Sequence, residues 1–186
     1  MTFRRWVVCL TFLFTLLAVQ IPNGFAGQSG FETAGDIAEI ALPASAFATT
    51  LTLLLDDTEG RNQFLKSFFL NAGATIALKY AINKPRPEGH GNHSFPSGHT
   101  SSAFQAATFI HKRYGLTYGA PAYLVASYVG WSRMEGETDK HDLSDVLAGA
   151  GLGFACSWWL TTPYEDISIS PVYSSNFFGV WMSFPW

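Results

Sequence analysis

The sequence predicts an all-α protein, a helical bundle of about five helices in the mature chain followed by a short C-terminal β-hairpin tail. Three observations carry this. Of the 186 residues, 48% are hydrophobic and only 13% charged, apolar positions recur at three- and four-residue steps, and Gly, Pro and polar clusters cut the chain into helix-length pieces. That length suits one domain with a proper core. Aromatic residues at 16% and a formal net charge of −3 argue against a disordered chain and against an electrostatic nucleic-acid binder; the composition leans toward membrane contact.

Residues 1–26 read as a secretory signal. Arg4 and Arg5 form a basic start, Trp6 to Val19 is an uncharged apolar run, and Gly24-Phe25-Ala26 ends in a small residue. An uncleaved anchor is the alternative. Cleavage would remove two arginines and no acid, taking the balance from −3 to −5. It would also remove Cys9, leaving Cys156 alone in an apolar stretch as a buried, inert thiol.

In the mature chain, Ile37 to Leu55 is an apolar helix ending at the acidic turn Asp56 to Gly60. From Asn62 to Asn83, Leu65, Phe69, Ala72 and Ile76 mark the inward stripe of an amphipathic helix, and Lys79 continues it. A lysine there needs a reason, because an unpaired buried ammonium is costly. A breaker-rich loop from Asn83 to Pro96 follows, and Ser97 caps a helix running to about Arg113. Tyr114 to Ser132 is uncharged and interrupted by Gly119 and Pro121, so its second part is expected to be helical. The polar loop Arg133 to Lys140 leads to a last helix, about His141 to Thr162, stopped by Pro163. The tail, 164–186, carries two apolar runs around Ser174-Ser175-Asn176 and predicts a hairpin packed on the helical body. Ile37 to Leu55, Tyr114 to Ser132 and Val146 to Thr162 are each near membrane-crossing length, and spanning and merely contacting a bilayer stand level.

Three clusters bear chemistry. Six residues separate Lys79 from Arg86-Pro87, Pro96-Ser97-Gly98-His99 opens a helix, and Ser132-Arg133 is followed by His141 and Asp145. A lysine offers a point charge and an arginine a planar fork for phosphate oxygens. A helix start offers free amides and a favourable dipole to an anion. An Asp four residues after a His can hold one ring nitrogen and leave the other free to attack. Each cluster alone also has an ordinary reading: a solvated basic patch with Lys84, a serine cap with a loop histidine, a helix contact. Together, in a chain with few charges, they suggest helix ends converging on one pocket.

This ordered set resembles the type 2 phosphatidic acid phosphatase superfamily, PAP2, which includes bacterial acid phosphatases and vanadate-dependent haloperoxidases. The similarity runs from about Gly35 to Ser157. The first two motifs match in full; the third has seven residues, Met134 to Lys140, where the family has five. That insertion bears on the placement of Arg133. The resemblance implies a metal-independent phosphatase without a cofactor, working through a phosphohistidine. His141 would attack phosphorus, Asp145 would orient it, and His99 would protonate the leaving oxygen. Lys79, Arg86, Arg133, the Ser97 hydroxyl and the Gly98 amide would hold the nonbridging oxygens. Phosphoryl transfer rests on such positioning and charge stabilisation.

The implied partner is a phosphorylated substrate, with lipid favoured by the apolar helices and no nucleic acid. Candidates are phosphatidic acid, phosphatidylglycerol phosphate, isoprenyl pyrophosphates, the lipid A phosphate and small soluble monoesters. The implied place is the periplasm, in contact with the membrane. Alternatives are a vanadate-dependent haloperoxidase and a noncatalytic phospholipid-binding envelope protein. A metal site at His90, His93 and His99 with Glu88 lacks a second ligand cluster. Gly149, Gly151 and Gly153 lack the strand a nucleotide loop needs and suit close helix packing instead. Trp158 and Trp159 divide evenly between interfacial anchor and core.

Overall fold

The computed structural model describes residues 28–51, 57–87, 89, 91–135, 141–164, 168–174 and 177–183. Among them five helices form the body: α1 (Gln28–Leu51), α2 (Thr58–Ile82), α3 (Gly98–Tyr114), α4 (Leu116–Ser132) and α5 (Leu143–Leu160). The backbones of Ser168–Ser174 (β1) and Phe177–Ser183 (β2) pair antiparallel, Ser168 opposite Ser183 and Ser174 opposite Phe177. The packing expected for this tail, and the signal read in 1–26, lie outside the described side chains and residues.

The bundle is built around α3, which packs against each of the other four helices. Its sequence permits this because it is small or apolar nearly all round: Ala103, Ala106, Ala107 and Phe109 are fully buried. Helix α1 answers with Ala34, Ala38, Leu42 and Ala46, a narrow stripe at four-residue steps, and Phe47, Phe64 and Phe68 fill the space between α1, α2 and α3. Cys156 is buried with a free thiol. Trp159 is exposed, while Trp158 stacks on Phe154 and lies under Lys112.

The inward face of α2 corrects the sequence expectation. Phe69 and Ile76 are 67% and 56% exposed. The buried positions are Phe64, Ser67, Asn71 and Thr75. Their polar groups meet α3: Thr75 and Ser101 share a 3.0 Å hydroxyl contact, Ser101 donates to Asn71 at 2.6 Å, and Gln105 donates to Ser67 at 2.8 Å. Periodicity finds a stripe but not the side it faces, and here hydrogen-bonded hydroxyls and amides replace apolar contact. Lys79 follows Asn71 and Thr75 by four-residue steps, so it still points toward the site.

Helix α4 also differs from expectation, since it begins at Leu116 and runs through both breakers. Gly119 lies so close to α3 that a Cβ there would stand 2.4 Å from the Cβ of His111. Pro121 falls near the start of α4, where it removes at most one ladder bond.

Helix α5 rides on α3 along Gly149 and Gly153. A Cβ at these positions would stand 2.5 Å from the Ser97 carbonyl oxygen and 2.1 Å from that of Ser101, whereas Gly151 faces open space. One turn before Gly149 on the same stripe is Asp145, whose carbonyl accepts from the Ser97 amide at 2.9 Å. The small-residue stripe thus sets one candidate residue against another. Helix α5 is also long and apolar enough to cross a membrane by length and composition, the one such helix among the described residues.

The far end of α3 is fastened separately. Arg113 donates from Nε and Nη2 to both oxygens of buried Asp57, at 2.8 and 2.6 Å, and from Nη1 to the Thr162 carbonyl at 3.0 Å. Tyr114 adds a hydroxyl bond to Asp57 at 3.0 Å. This joins the start of α2, the end of α3 and the residues after α5, about 25 Å from the start of α3.

Candidate active site

The connection between α2 and α3 folds back on both helices. Asn83 ends α2 in the left-handed region, φ 47°, with its amide donating to the Lys79 carbonyl. The Ser94 amide donates to the Lys84 carbonyl at 2.9 Å and closes the loop. Lys79 turns its ammonium into this loop, donating to the carbonyls of His93 at 2.9 Å and Ser94 at 3.4 Å. That is the reason the half-buried lysine required. His93 returns the contact from Nδ1 to the Lys79 carbonyl at 3.1 Å.

Ser97 caps α3 as expected. Its Oγ lies 2.9 Å from Thr100 Oγ1 and accepts from the Thr100 amide at 3.5 Å. Gly98 and His99 then form the first turn, where backbone amides lack helical partners. At α5, Asp142 caps the helix in a reciprocal box: its Oδ1 accepts from the Asp145 amide at 3.0 Å, and Asp145 Oδ2 accepts from the Asp142 amide at 3.3 Å. The box places Asp145 behind His141, whose Nδ1 is 3.5 Å from Asp145 Oδ2 and 3.4 Å from Ser94 Oγ. Nδ1 is held from behind, which leaves Nε2 as the free nitrogen.

These helix ends open on a cavity of about 380 Å³. One part of its wall is polar: Lys79, Arg86, Gly98, His99 and His141, with Glu39 of α1 and Ser102 of α3. The other runs along α2 through Phe68, Asn71, Ala72, Thr75 and Ile76. Burial in this cationic setting pushes the His141 imidazole down to about 4, with Lys79 and Arg86 adding to the effect against the pull of Asp145.

Of the residues singled out from sequence, Lys79, Arg86, Gly98, His99 and His141 line this one cavity. Ser97 and Asp145 are fully buried behind it. Arg133 is placed otherwise. It is 1% exposed, and its fork donates to Asp36 Oδ1 at 2.7 Å, the Glu32 carbonyl at 2.9 Å and Ser132 Oγ at 3.2 Å. Gly35 makes room for this, since a Cβ there would stand 2.9 Å from Arg133 Nη2. Residues 136–140 of the loop that carries the insertion lie outside the described residues.

Sequence reasoning missed four members. Asp36 and Glu39 flank His99, with Nε2 3.6 Å from Asp36 Oδ1 and 3.4 Å from Glu39 Oε2. Their three-residue spacing in an otherwise apolar helix was the available signal. Ser94 donates to Asp145 Oδ2, and Lys84 donates to Asp145 Oδ1 at 2.8 Å; these had no local signal, because their partner is 51 and 61 residues away.

A sequence model of the PAP2 superfamily matches residues 62–167, more than half of the chain. The chain belongs to the PAP2 superfamily. The match takes in all three motifs, α2 from Asn62 onward and all of α3 to α5. Among curated PAP2-like relatives, a lipid A 1-phosphatase of Porphyromonas gingivalis is 42% identical over 87 residues, 45% of this chain and 19% of that protein. A lipid A 4'-phosphatase of Helicobacter pylori is 25% identical over 158 residues, 75% of this chain and 79% of that one. The chain thus spans about a fifth of the first relative and about four fifths of the second. A crystal structure of Aquifex aeolicus LpxE superposes with a TM-score of 0.55 at 25% identity, covering 67% of this chain and 84% of that one.

Proposed function

We propose that this PAP2 chain is a metal-independent phosphatase of the cell envelope that removes a phosphate from a lipid through a phosphohistidine. The carrying observation is the two-part cavity: cations, a helix start and two histidines at one side, and a lane leading away along α2 in which Phe68, Ala72 and Ile76 supply apolar surface beside Asn71 and Thr75. A phosphate fits the first and an acyl chain the second. The likeness to a lipid A 1-phosphatase and a lipid A 4'-phosphatase points to the lipid A phosphate as substrate.

In this reading Lys79, Arg86 and the Gly98 amide hold the nonbridging oxygens. His141 Nε2 forms a bond to phosphorus as the ester P–O bond breaks, and His99 gives its proton to the departing oxygen. Water then attacks phosphorus, His99 takes its proton, and phosphate leaves with the His141 imidazole restored. Asp145 holds Nδ1, and Ser97 acts as the cap that fixes the first turn of α3. Arg133 reaches the site through Asp36, which it shares with His99. We read the body as residues 27–163, the tail as an appended hairpin, and the outward apolar side of α2, with Phe69, Ile76 and Tyr80 exposed, together with α5 as the membrane-contacting part.

The test is phosphate release by purified protein from a panel of lipid A phosphates, phosphatidic acid, phosphatidylglycerol phosphate and soluble monoesters, with His141→Ala and His99→Ala as controls. Expected is release from lipid substrates that both variants abolish. Activity confined to p-nitrophenyl phosphate and sugar phosphates would overturn the lipid assignment, and turnover surviving in His141→Ala would overturn the mechanism.

A further inference from the structure

Three cations surround the motif residues, and they divide. Lys79 and Arg86 line the cavity, whereas Lys84 lies behind it. The Lys84 ammonium meets three side chains at the start of α5, the cap Asp142 at Oδ2 and, in the first turn, Ser144 Oγ at 2.9 Å and Asp145 Oδ1 at 2.8 Å. The loop bond from the Ser94 amide to the Lys84 carbonyl sets these two side chains on the two oxygens of one carboxylate, Lys84 on Oδ1 and Ser94 on Oδ2.

A fully buried carboxylate needs a counter-charge. His141, at 3.5 Å, is a distant candidate; Lys84, at 2.8 Å, is a close one. We propose that Lys84 is a positioning residue for the nucleophile pair: its ammonium balances Asp145 from behind, so that His141 is oriented by that carboxylate without having to neutralise it. The groups facing the imidazole agree. Lys79 on α2 and Arg86 in the loop present positive charge, Asp145 presents negative charge already engaged by Lys84, and His99 and Glu39 stand on the cavity wall shared with His141.

Without Lys84, the His141 ring would face an unbalanced carboxylate and take up a proton at higher pH. An opposite charge at this range shifts a partner by about one unit or more. The inference rests on the phosphatase reading only for its kinetic part.

The experiment uses the full chain with Lys84→Met, Lys84→Gln and Lys84→Arg. The His141 ring is titrated by NMR, and kcat/KM on p-nitrophenyl phosphate is followed from pH 3 to 8. Expected for Met is an upward shift of the ring titration and of the acid limb by about one unit. That is about a tenfold loss on the acid limb, with rates near wild type above pH 7. Arg should restore both. Should Met fail to fold, Gln keeps donors but not the charge and carries the same expectation. A limb that stays put while rate falls equally at every pH, or an Arg variant no better than Met, would overturn the proposal. Wild-type protein inert on every phosphate ester would sink the phosphatase reading, while the NMR titration would still decide the role of Lys84.

Discussion

Arg133 Nη1 lies 2.7 Å from Asp36 Oδ1, joining the end of α4 to α1 across 97 residues of chain. The same carboxylate oxygen stands 3.6 Å from His99 Nε2. One acid of α1 therefore connects the third motif to the second.

Arg133→Lys should lower stability. The guanidinium serves Asp36, the Glu32 carbonyl and Ser132 at once, and a single ammonium nitrogen does not reproduce that fork. Leaving one or more of these groups unpaired costs about 1–3 kcal/mol, which for a chain of this size lowers Tm by roughly 2–10 °C. Thermal melts of the two proteins side by side measure it. Equal melting temperatures would mean that the fork does not hold α1.

The acid side of the pH profile should be set by His141. The nucleophile must be neutral, and its imidazole is pushed down to about 4, so kcat/KM should hold as pH falls through 6 and drop about tenfold per unit below about pH 4. Stability follows the same group with a definite sign. Between pH 6.5 and about 4 the unfolded chain binds a proton at this histidine and the folded one does not. Stability therefore falls as pH drops through that window, by at most about 3 kcal/mol. Asp142, held well below the ordinary carboxylate range by Lys84 and Ser144, adds a loss at still lower pH. Melts of wild type and His141→Gln at pH 6.5 and 4.5 test the assignment: the variant should lose less. A wild-type acid limb near 6.5 would contradict it.

Two neighbouring glycines of α5 should respond in opposite ways to the same methyl group. Gly149→Ala forces a Cβ to 2.5 Å from the Ser97 carbonyl, a backbone atom that cannot step aside, and should cost about 1–3 kcal/mol. It should also depress kcat, because Ser97 and Asp145 meet at that crossing. Gly151→Ala meets nothing and should gain about 0.5–1 kcal/mol from helix propensity. Paired thermal melts decide it; two losses would place the contact elsewhere on the helix.

What the sequence made legible follows from local physics. Ser97 and Asp142 are short-side-chain caps and Pro163 is a breaker, so the ends of α3 and α5 fell close to their expected places. The reacting residues sit at such ends, which is why motif spacing located the cavity. The inward side of α2 was read wrongly because hydrophobic periodicity assumes that a core is apolar, while Ser67, Asn71 and Thr75 bury through hydrogen bonds. Ser94 and Lys84 went unnoticed as site residues for a different reason: their partner lies 51 and 61 positions away, and no local pattern encodes such a distance.

The orientation of α2 reverses the usual preference of a helix for its surroundings. Beyond Phe64, the hydroxyls and amides of Ser67, Asn71 and Thr75 are turned toward its neighbour while Phe69, Leu70, Ile76 and Tyr80 are turned out, so water would dissolve the wrong side of it. In the membrane-contacting reading proposed above, hydrocarbon against that flank completes the packing that the described residues leave open, and the solvent then becomes a structural component in the same sense as a sixth helix. Carried into plain buffer, the protein should seek a substitute for it, in a micelle or in its own kind.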